Sequence, residues 1–307
     1  MYDFASKKYW FFGLSATLLV AGLVFFAMGG LKLGIEFEGG SSFRMNFEED
    51  IGQTALENTL ASLGFDRASV QRLEEHEEYW VRTETLSGEE ESALKDGLEQ
   101  ELGAFTVEES GIVTPSIARE TLRNAAIAVV GAAIVILFFI TWAFRKMPSP
   151  VRYGTCGIAA LIHDVALTIG LFSILGFALN WEISPMFITA MLAVIGYSIN
   201  DTIVVFDRIR ENLGRKRLSD FKSVVNSSLT ETLTRSLNTS ITTLLVILAL
   251  YLFVGDNIRN FVVALLIGVV AGTYSSIFIA SQLLIIWETG EWKKYVPDLP
   301  GLQRLKA

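Results

Sequence analysis

Cysteine and histidine are almost missing from this chain: Cys156 is its one thiol, and His76 and His163 are its two imidazoles. A single cysteine excludes a disulfide within the chain, so a part displayed in an oxidising compartment must hold together by its core alone. His76 lies in a run of acids with no second histidine or cysteine beside it, which does not make a metal site. No glycine-rich phosphate loop is present, so the chain carries no motif for drawing energy from bound ATP. An enzyme's nucleophile-and-base or metal constellation is likewise missing. No cofactor, metal or catalytic activity is expected.

What the chain has in quantity is apolar surface. Of its 307 residues 51% are hydrophobic, and its mean hydropathy is +0.44. That average hides two populations. Residues 30–122 are polar, and from Lys32 to Glu120 there are 21 acidic and 7 basic residues, leaving 12 acidic and 18 basic for the rest. An acidic domain argues against nucleic acid as a partner.

A bilayer core takes about 20 apolar residues as helix. Residues 10–28, 125–144, 153–175, 186–206, 237–254 and 261–287 meet or approach that length. The first run is longer than a signal-peptide core of about 7–15 residues, so it reads as an uncleaved anchor. Lys7 and Lys8 precede it. Arg145, Lys146 and Arg152 lie between the second and third runs. Arg208, Arg210, Arg215, Lys216, Arg217 and Lys222 lie between the fourth and fifth, and Lys293, Lys294, Arg304 and Lys306 follow the sixth. The remaining loops are poor in base. Positive charge stays on the inner side of a membrane, so both termini are expected in the cytoplasm and residues 30–122 outside.

Within that outer segment, residues 41–47 alternate as a strand and 52–63 have helical spacing. Residues 68–73 and 79–85 read as strands joined by an acidic turn at 74–78, followed by a helix over 89–102 and a strand over 104–113. The order β-α-β-β-α-β predicts a small α+β, ferredoxin-like domain. Its acidic clusters read either as a solvated surface or as one that meets a partner or an exported chain.

Charge inside a span costs at least ~3 kcal/mol, so polar residues there need a reason. Asp201 lies within the fourth span with Tyr197 and Ser198 on the same face and Asn200 beside it. In the fifth, Arg235, Asn238, Thr239 and Thr242 fall at i, i+3, i+4 and i+7, one polar stripe. Asp201 and Arg235 sit at similar depth. One reading is a fixed ion pair between helices, or an arginine snorkelling to the interface. The other is a proton relay, since low dielectric favours a neutral carboxyl group and a nearby guanidinium favours the charged one. In the third span His163 and Asp164 read as a helix-to-helix hydrogen-bond node, or as part of a pathway. Gly268, Gly272 and Ser276 form a small-residue face for close helix packing.

Several runs resemble one family. Residues 196–212, Gly-Tyr-Ser-Ile-Asn-Asp-Thr-Ile-Val-Val-Phe-Asp-Arg-Ile-Arg-Glu-Asn, are similar to the signature of the SecF family, the smaller subunit of bacterial SecDF protein-export complexes. So are Leu-Gly-Ile-Glu-Phe-Glu-Gly-Gly at 33–40, Ala-Leu-Ile-His-Asp at 160–164, Thr-Leu-Thr-Arg-Ser at 232–236 and Gly-Thr-Tyr-Ser-Ser-Ile-Phe-Ile-Ala at 272–280. One departure is Glu36, where the family usually has Asp. The resemblance implies a six-helix bundle, half of a resistance-nodulation-division transporter, in the bacterial inner membrane. It implies SecD and the SecYEG channel as partners, preprotein as substrate, membrane lipid as surroundings and the proton motive force as energy. It also puts Asp201 and Arg235 in the proton pathway and a further essential aspartate on SecD.

The expected division is residues 1–29 for the N-terminus and first helix, 30–122 for the outer domain, 123–288 for helices two to six, and 289–307 for a cytoplasmic tail. The competing reading is a proton-coupled transporter subunit for small molecules or lipids. A chain with one six-helix half, rather than two, favours an obligate partner over an independent transporter.

Overall fold

A computed structural model describes residues 3–73, 78–147, 149–215 and 220–294. The acidic turn with His76, the loop bases Lys216 and Arg217, and the tail bases Arg304 and Lys306 lie outside the described residues. The chain divides into two compact units, one of residues 1–30, 129–177 and 189–307, the other of residues 31–128 and 178–188.

The first unit is helical. Its helices are α1 (Lys8–Ala27), α5 (Pro115–Ala143, shared with the second unit), α6 (Pro150–Leu179), α7 (Pro185–Arg215), α8 (Phe221–Phe253), α9 (Asp256–Ser275) and α10 (Ser281–Glu288). A π-helical turn, Ser276–Ala280, joins the last two into one long helix. Among the described residues, six helices are long and apolar enough to cross a membrane. Proline opens α5, α6 and α7, where its missing N–H costs nothing and its fixed φ suits the first turn.

Several helices outrun the apolar segments expected from the sequence. Hydropathy marks the hydrocarbon, whereas a helix continues wherever a neighbour covers its apolar side. Beyond residue 206, α7 still buries Ile209 and Asn212. Before residue 237, α8 already buries Val224, Val225 and Leu229. Of these, Ile209, Val225 and Leu229 join a core that includes Phe144, Tyr153, Phe206, Leu284 and Ile285. There Phe144 stacks on Tyr153 with centroids 5.3 Å apart, and Tyr153 meets Phe206 edge-on at 5.4 Å.

Glycine sets the closest helix approach. A Cβ at Gly22 of α1 would lie 2.5 Å from the Cα of Gly170 on α6, so only a bare backbone fits. The ends of the unit are tied by charge and amides. Glu291 accepts from Lys222 (2.5 Å) and from Lys8, joining the starts of α8 and α1 to the turn after α10. Those two ammonium groups hold the Glu291 carboxyl below its ordinary value. Asn226 receives the backbone N–H groups of Phe4 (3.0 Å) and Ala5 (3.1 Å) and donates to Asp3 (2.8 Å).

The second unit is built on β2 (Gly40–Phe47), α3 (Gln53–Ser62), β3 (Ser69–Arg72), β4 (Glu78–Thr83), α4 (Gly88–Leu102) and β5 (Phe105–Val113). The strands form an antiparallel sheet in the order β3-β4-β2-β5. Alternation puts Phe43, Met45 and Phe47 on one face with Val70, Tyr79 and Val81, and against them pack Leu56 and Leu60 of α3 and Leu94 and Leu98 of α4. Each such side chain contributes about 1.5–3 kcal/mol on full burial. A capping box of Ser87 and Glu90 starts α4.

A feature without a sequence signal completes this unit. β1 (Lys32–Leu33) pairs in parallel with β6 (Glu182–Ile183), and a single helical turn, α2 (Ile35–Glu38), follows β1. The segment before α7 thereby belongs to the same compact unit. Arg82 forms an ion pair with Glu182 and lies over the Trp80 ring, 5.5 Å from its centroid. Burial pushes the Arg82 guanidinium down to about 10. Gly40 has φ +145, and a Cβ there would stand 2.5 Å from the Thr83 carbonyl oxygen, so the pair Gly39-Gly40 is dictated by space and by backbone.

Candidate functional site

Three polar clusters lie inside the helical unit, each tied to different helices. The first centres on Asp164 of α6, which is only 1% exposed. Its Oδ2 accepts from Ser198 Oγ of α7 (2.6 Å) and from Ser275 Oγ of α9 (2.7 Å). Its Oδ1 faces His163 Nδ1 at 3.0 Å, and His163 Nε2 meets Ser15 Oγ of α1 at 3.0 Å. With the carboxylate as acceptor, the imidazole proton sits on Nδ1. The pair His163-Asp164 therefore joins α1, α6, α7 and α9 at one point.

The second cluster is a line of hydroxyls. Tyr197 of α7 donates to Ser240 Oγ of α8 (3.0 Å), which meets Thr273 Oγ1 of α9 at 2.6 Å. Close by, Thr202 and Ser276 share a hydroxyl contact of 2.8 Å, and Ser276 also reaches the Ser198 carbonyl at 3.1 Å. A Cβ at Gly272 would lie 2.8 Å from Ser198 Cβ, so the small residues of α9 are what let these short side chains meet across the interface.

The third cluster holds Asp201, buried at 7% exposure. Its Oδ1 accepts from Ser236 Oγ of α8 at 2.6 Å. Its Oδ2 is buried with no hydrogen bond among the described residues. Arg235, next to Ser236, is exposed and makes no direct ion pair with Asp201. Arg235, Asn238, Thr239 and Thr242 all lie on the exposed side of α8. Thr239 and Thr242 return their hydroxyls to the carbonyls of Arg235 (3.0 Å) and Asn238 (2.9 Å). Asn200 is exposed on α7.

The structure thus joins Tyr197, Ser198 and Asp201 to three different partners, although they share a helix. It separates Arg235 from direct contact with Asp201. Sequence reasoning passed over Ser236, Ser240, Thr273, Ser275 and Ser15. For four of them a signal was available: Ser15, Ser240, Thr273 and Ser275 are small hydroxyl residues within apolar runs, and in a helix such a side chain is either returned to its own backbone or spent on a neighbour. A staple further along the same two helices was missed as well. Glu231 of α8 accepts from Arg208 (2.5 Å) and Asn212 (2.9 Å) of α7, and Asn212 also reaches Ser228 (3.0 Å). No cluster of His, Cys, Asp or Glu among the described residues suits a metal ion.

Comparison with known proteins agrees with a transport role. Residues 94–290 match the family described as protein export membrane protein SecD/SecF, C-terminal, and residues 24–51 match the SecD/SecF GG motif. The chain is 40% identical to the protein translocase subunit SecF of Thermobaculum terrenum, covering 95% of this chain and 96% of that one. It is 38% identical to the same-named subunit of Anaerolinea thermophila, over 96% and 97% of the two chains. Among solved structures, it superposes on SecDF of Thermus thermophilus, a translocon-associated membrane protein, with a TM-score of 0.82 and 36% identity. The match covers 94% of this chain and 39% of that longer one. The six apolar helices and these relatives together make the chain a multi-pass membrane protein.

Proposed function

The chain belongs to the SecF family of protein translocase subunits, and from that premise we propose that it couples proton movement to preprotein export in a complex with a SecD subunit. One arrangement carries the reading. Asp201 is a buried carboxyl group with one oxygen bonded to Ser236 and the other left without a protein partner, beside an exposed polar face headed by Arg235.

The chemistry follows from which helix holds what. Ser236 and Arg235 are neighbours on α8, while Asp201 is on α7. A hydroxyl donor and a guanidinium both favour the charged carboxylate. A shift of α8 against α7 withdraws both at once, and Asp201 then takes a proton on Oδ2. The return stroke releases it. Arg235 keeps its charge throughout, as a guanidinium does and a desolvated ammonium does not. Asn238, Thr239 and Thr242 extend the polar face on which a proton or water can travel.

That face also argues for the partner. Polar groups turned toward hydrocarbon are costly, so the stripe on α8 is read as the surface that meets SecD. By contrast, only 6% of the apolar stretch of α5 is buried, and its exposed side is Ile, Val and Phe, which suits membrane lipid. The SecDF chain of Thermus thermophilus, more than twice as long as the part matched here, supports two such halves working together. The essential acid supplied by SecD would complete the proton path, and the SecYEG channel would deliver the preprotein.

Orientation follows the bases. Lys7, Lys8, Arg145, Lys146, Arg208, Arg210 and Lys222 flank alternate helix ends, so those ends and both termini are assigned to the cytoplasm. Residues 30–122 are then the extracytoplasmic domain. We read its βαββαβ order as ferredoxin-like and assign to it the surface that faces an emerging chain.

The test is Asp201→Asn, which keeps the shape and removes the titrating group. The variant should reach normal abundance, copurify with SecD and lose proton-dependent export. Undiminished export at normal abundance would overturn the relay.

A further inference from the structure

Away from these clusters, α6 and α10 enclose a cavity of about 360 Å³, open along one side. Thr155, Cys156 and Ala159 form one wall and Leu283, Ile286 and Trp287 the other, with Trp292 at one end. The geometry points to a binding site for one acyl chain of a zwitterionic aminophospholipid of the phosphatidylethanolamine type, its headgroup seated at Arg152 and Glu288.

The walls exclude a polar ligand. The Thr155 hydroxyl donates to the Val151 carbonyl within its own helix (2.9 Å), so it has no proton to offer the cavity. The rest of the wall is aliphatic, thiol or indole. Counted from Tyr153, where the apolar run begins, Thr155 to Ala159 lie roughly 3–9 Å into it at 1.5 Å per residue, the headgroup edge of the hydrocarbon. On the orientation given above, this is the cytoplasmic leaflet, but the site requires only that α6 and α10 cross a membrane. A volume of about 360 Å³ takes a slender apolar segment, such as part of an acyl chain, rather than a helix, which is about 10–12 Å across with its side chains.

The charges beside the cavity select the headgroup. Arg152, three residues before Thr155, pairs with Glu288, next to Trp287, at 3.0 Å. Arg152 lies on α6 about one turn before Thr155 and Glu288 follows Trp287 on α10, so the pair stands at the cavity's end of both helices. Their side chains are 37% and 22% exposed, open enough to meet a headgroup. A cation and an anion side by side complement a phosphate and an ammonium. A purely anionic headgroup would gain Arg152 and be repelled by Glu288. Trp287 and Trp292 are the residue type that settles at the level of lipid headgroups.

The experiment uses the full chain in vesicles of phosphatidylethanolamine and phosphatidylglycerol. A trace of either lipid carries a diazirine at the end of one acyl chain, and adducts are mapped after photolysis. Phosphatidylethanolamine adducts should concentrate at residues 155–159 and 283–287, over those on the exposed faces of α1 and α5. Unlabelled phosphatidylethanolamine should compete and phosphatidylglycerol should not. Ala159→Trp, which fills the cavity, should lower the yield there about tenfold. Should that variant fail to fold, competition on the wild-type chain decides alone. Adducts spread evenly over α1, α5 and the cavity would overturn the site. Equal labelling by the two lipids would overturn the headgroup assignment.

Discussion

Replacing Asp164 by alanine tests how much of the bundle hangs on one carboxylate. Asp164 accepts from Ser198 at 2.6 Å, from Ser275 at 2.7 Å and from His163 at 3.0 Å. Side-chain hydrogen bonds between membrane helices average about 0.6 kcal/mol and reach about 1.7. The two serine bonds cross between helices and give about 1–3 kcal/mol, while the His163 contact lies within α6. The upper part of that range is expected, because the site is fully buried and alanine leaves two hydroxyls and an imidazole facing a void. Asp164→Asn keeps an acceptor oxygen and the volume, so it should cost no more than about half as much. The assay is reversible unfolding of the full chain in mixed detergent micelles, with Ser198→Ala and Ser275→Ala measured alongside. Because both serines bond the same oxygen, the Asp164→Ala and Ser198→Ala losses should sum to more than the loss in the double variant. A cost for Asp164→Ala below about 0.5 kcal/mol, the scatter of an ordinary surface substitution, would refute the node as a source of stability.

Arg235→Lys should weaken the coupling of export to the proton gradient by roughly tenfold, equivalent to about 1.4 kcal/mol, because a desolvated ammonium can lose the charge that a guanidinium keeps; export measured against imposed gradients checks this, and unchanged coupling would count against the role of Arg235. Gly22→Ala places a methyl 2.5 Å from the Gly170 backbone and should cost about 1–3 kcal/mol through forced separation of α1 and α6, read from the same unfolding assay. For Glu291, the folded carboxyl lies below its ordinary value of 4.5. Its contribution is therefore present above that value and lost as pH falls through the lower, folded one. The melting difference between wild type and Glu291→Gln should be largest near neutral pH and vanish in acid; a difference that grows on acidification would contradict the sign.

How much could be read from the residues differs by feature. Alternation over 41–47 is a period-two signal, and the strand occupies Gly40–Phe47. Arg235, Asn238, Thr239 and Thr242 share a face by spacing, and they share one in space. What spacing cannot say is where a face points. In an apolar environment both a buried and a lipid-facing side are apolar, so the exposure of that stripe had no counterpart in the pattern. The partner of Asp201 was hidden for a similar reason. The charge at Arg235 is the visible signal on α8, whereas the hydrogen bond comes from Ser236, one residue and about 100° around the helix. β1 and β6 are two residues each, too short for any period, and their pairing joins positions 150 residues apart. The long ends of α7 and α8 escaped because their cover is supplied by each other, through Arg208, Asn212, Ser228 and Glu231, rather than by their own composition.

The π-helical turn at Ser276–Ala280 has a consequence for the register of the helix that contains it. A surplus residue rotates everything after it by about 100° relative to an uninterrupted α-helix. At the entrance to the bulge, Ser275 and Ser276 reach Asp164 and Thr202; after it, Leu284 and Ile285 fill the core. Both sets are buried because the phase slips between them. Straightening the ladder by removing one residue would leave either the hydroxyls or the leucine–isoleucine pair misdirected, so the two halves behave like gears cut to mesh only with that one tooth added.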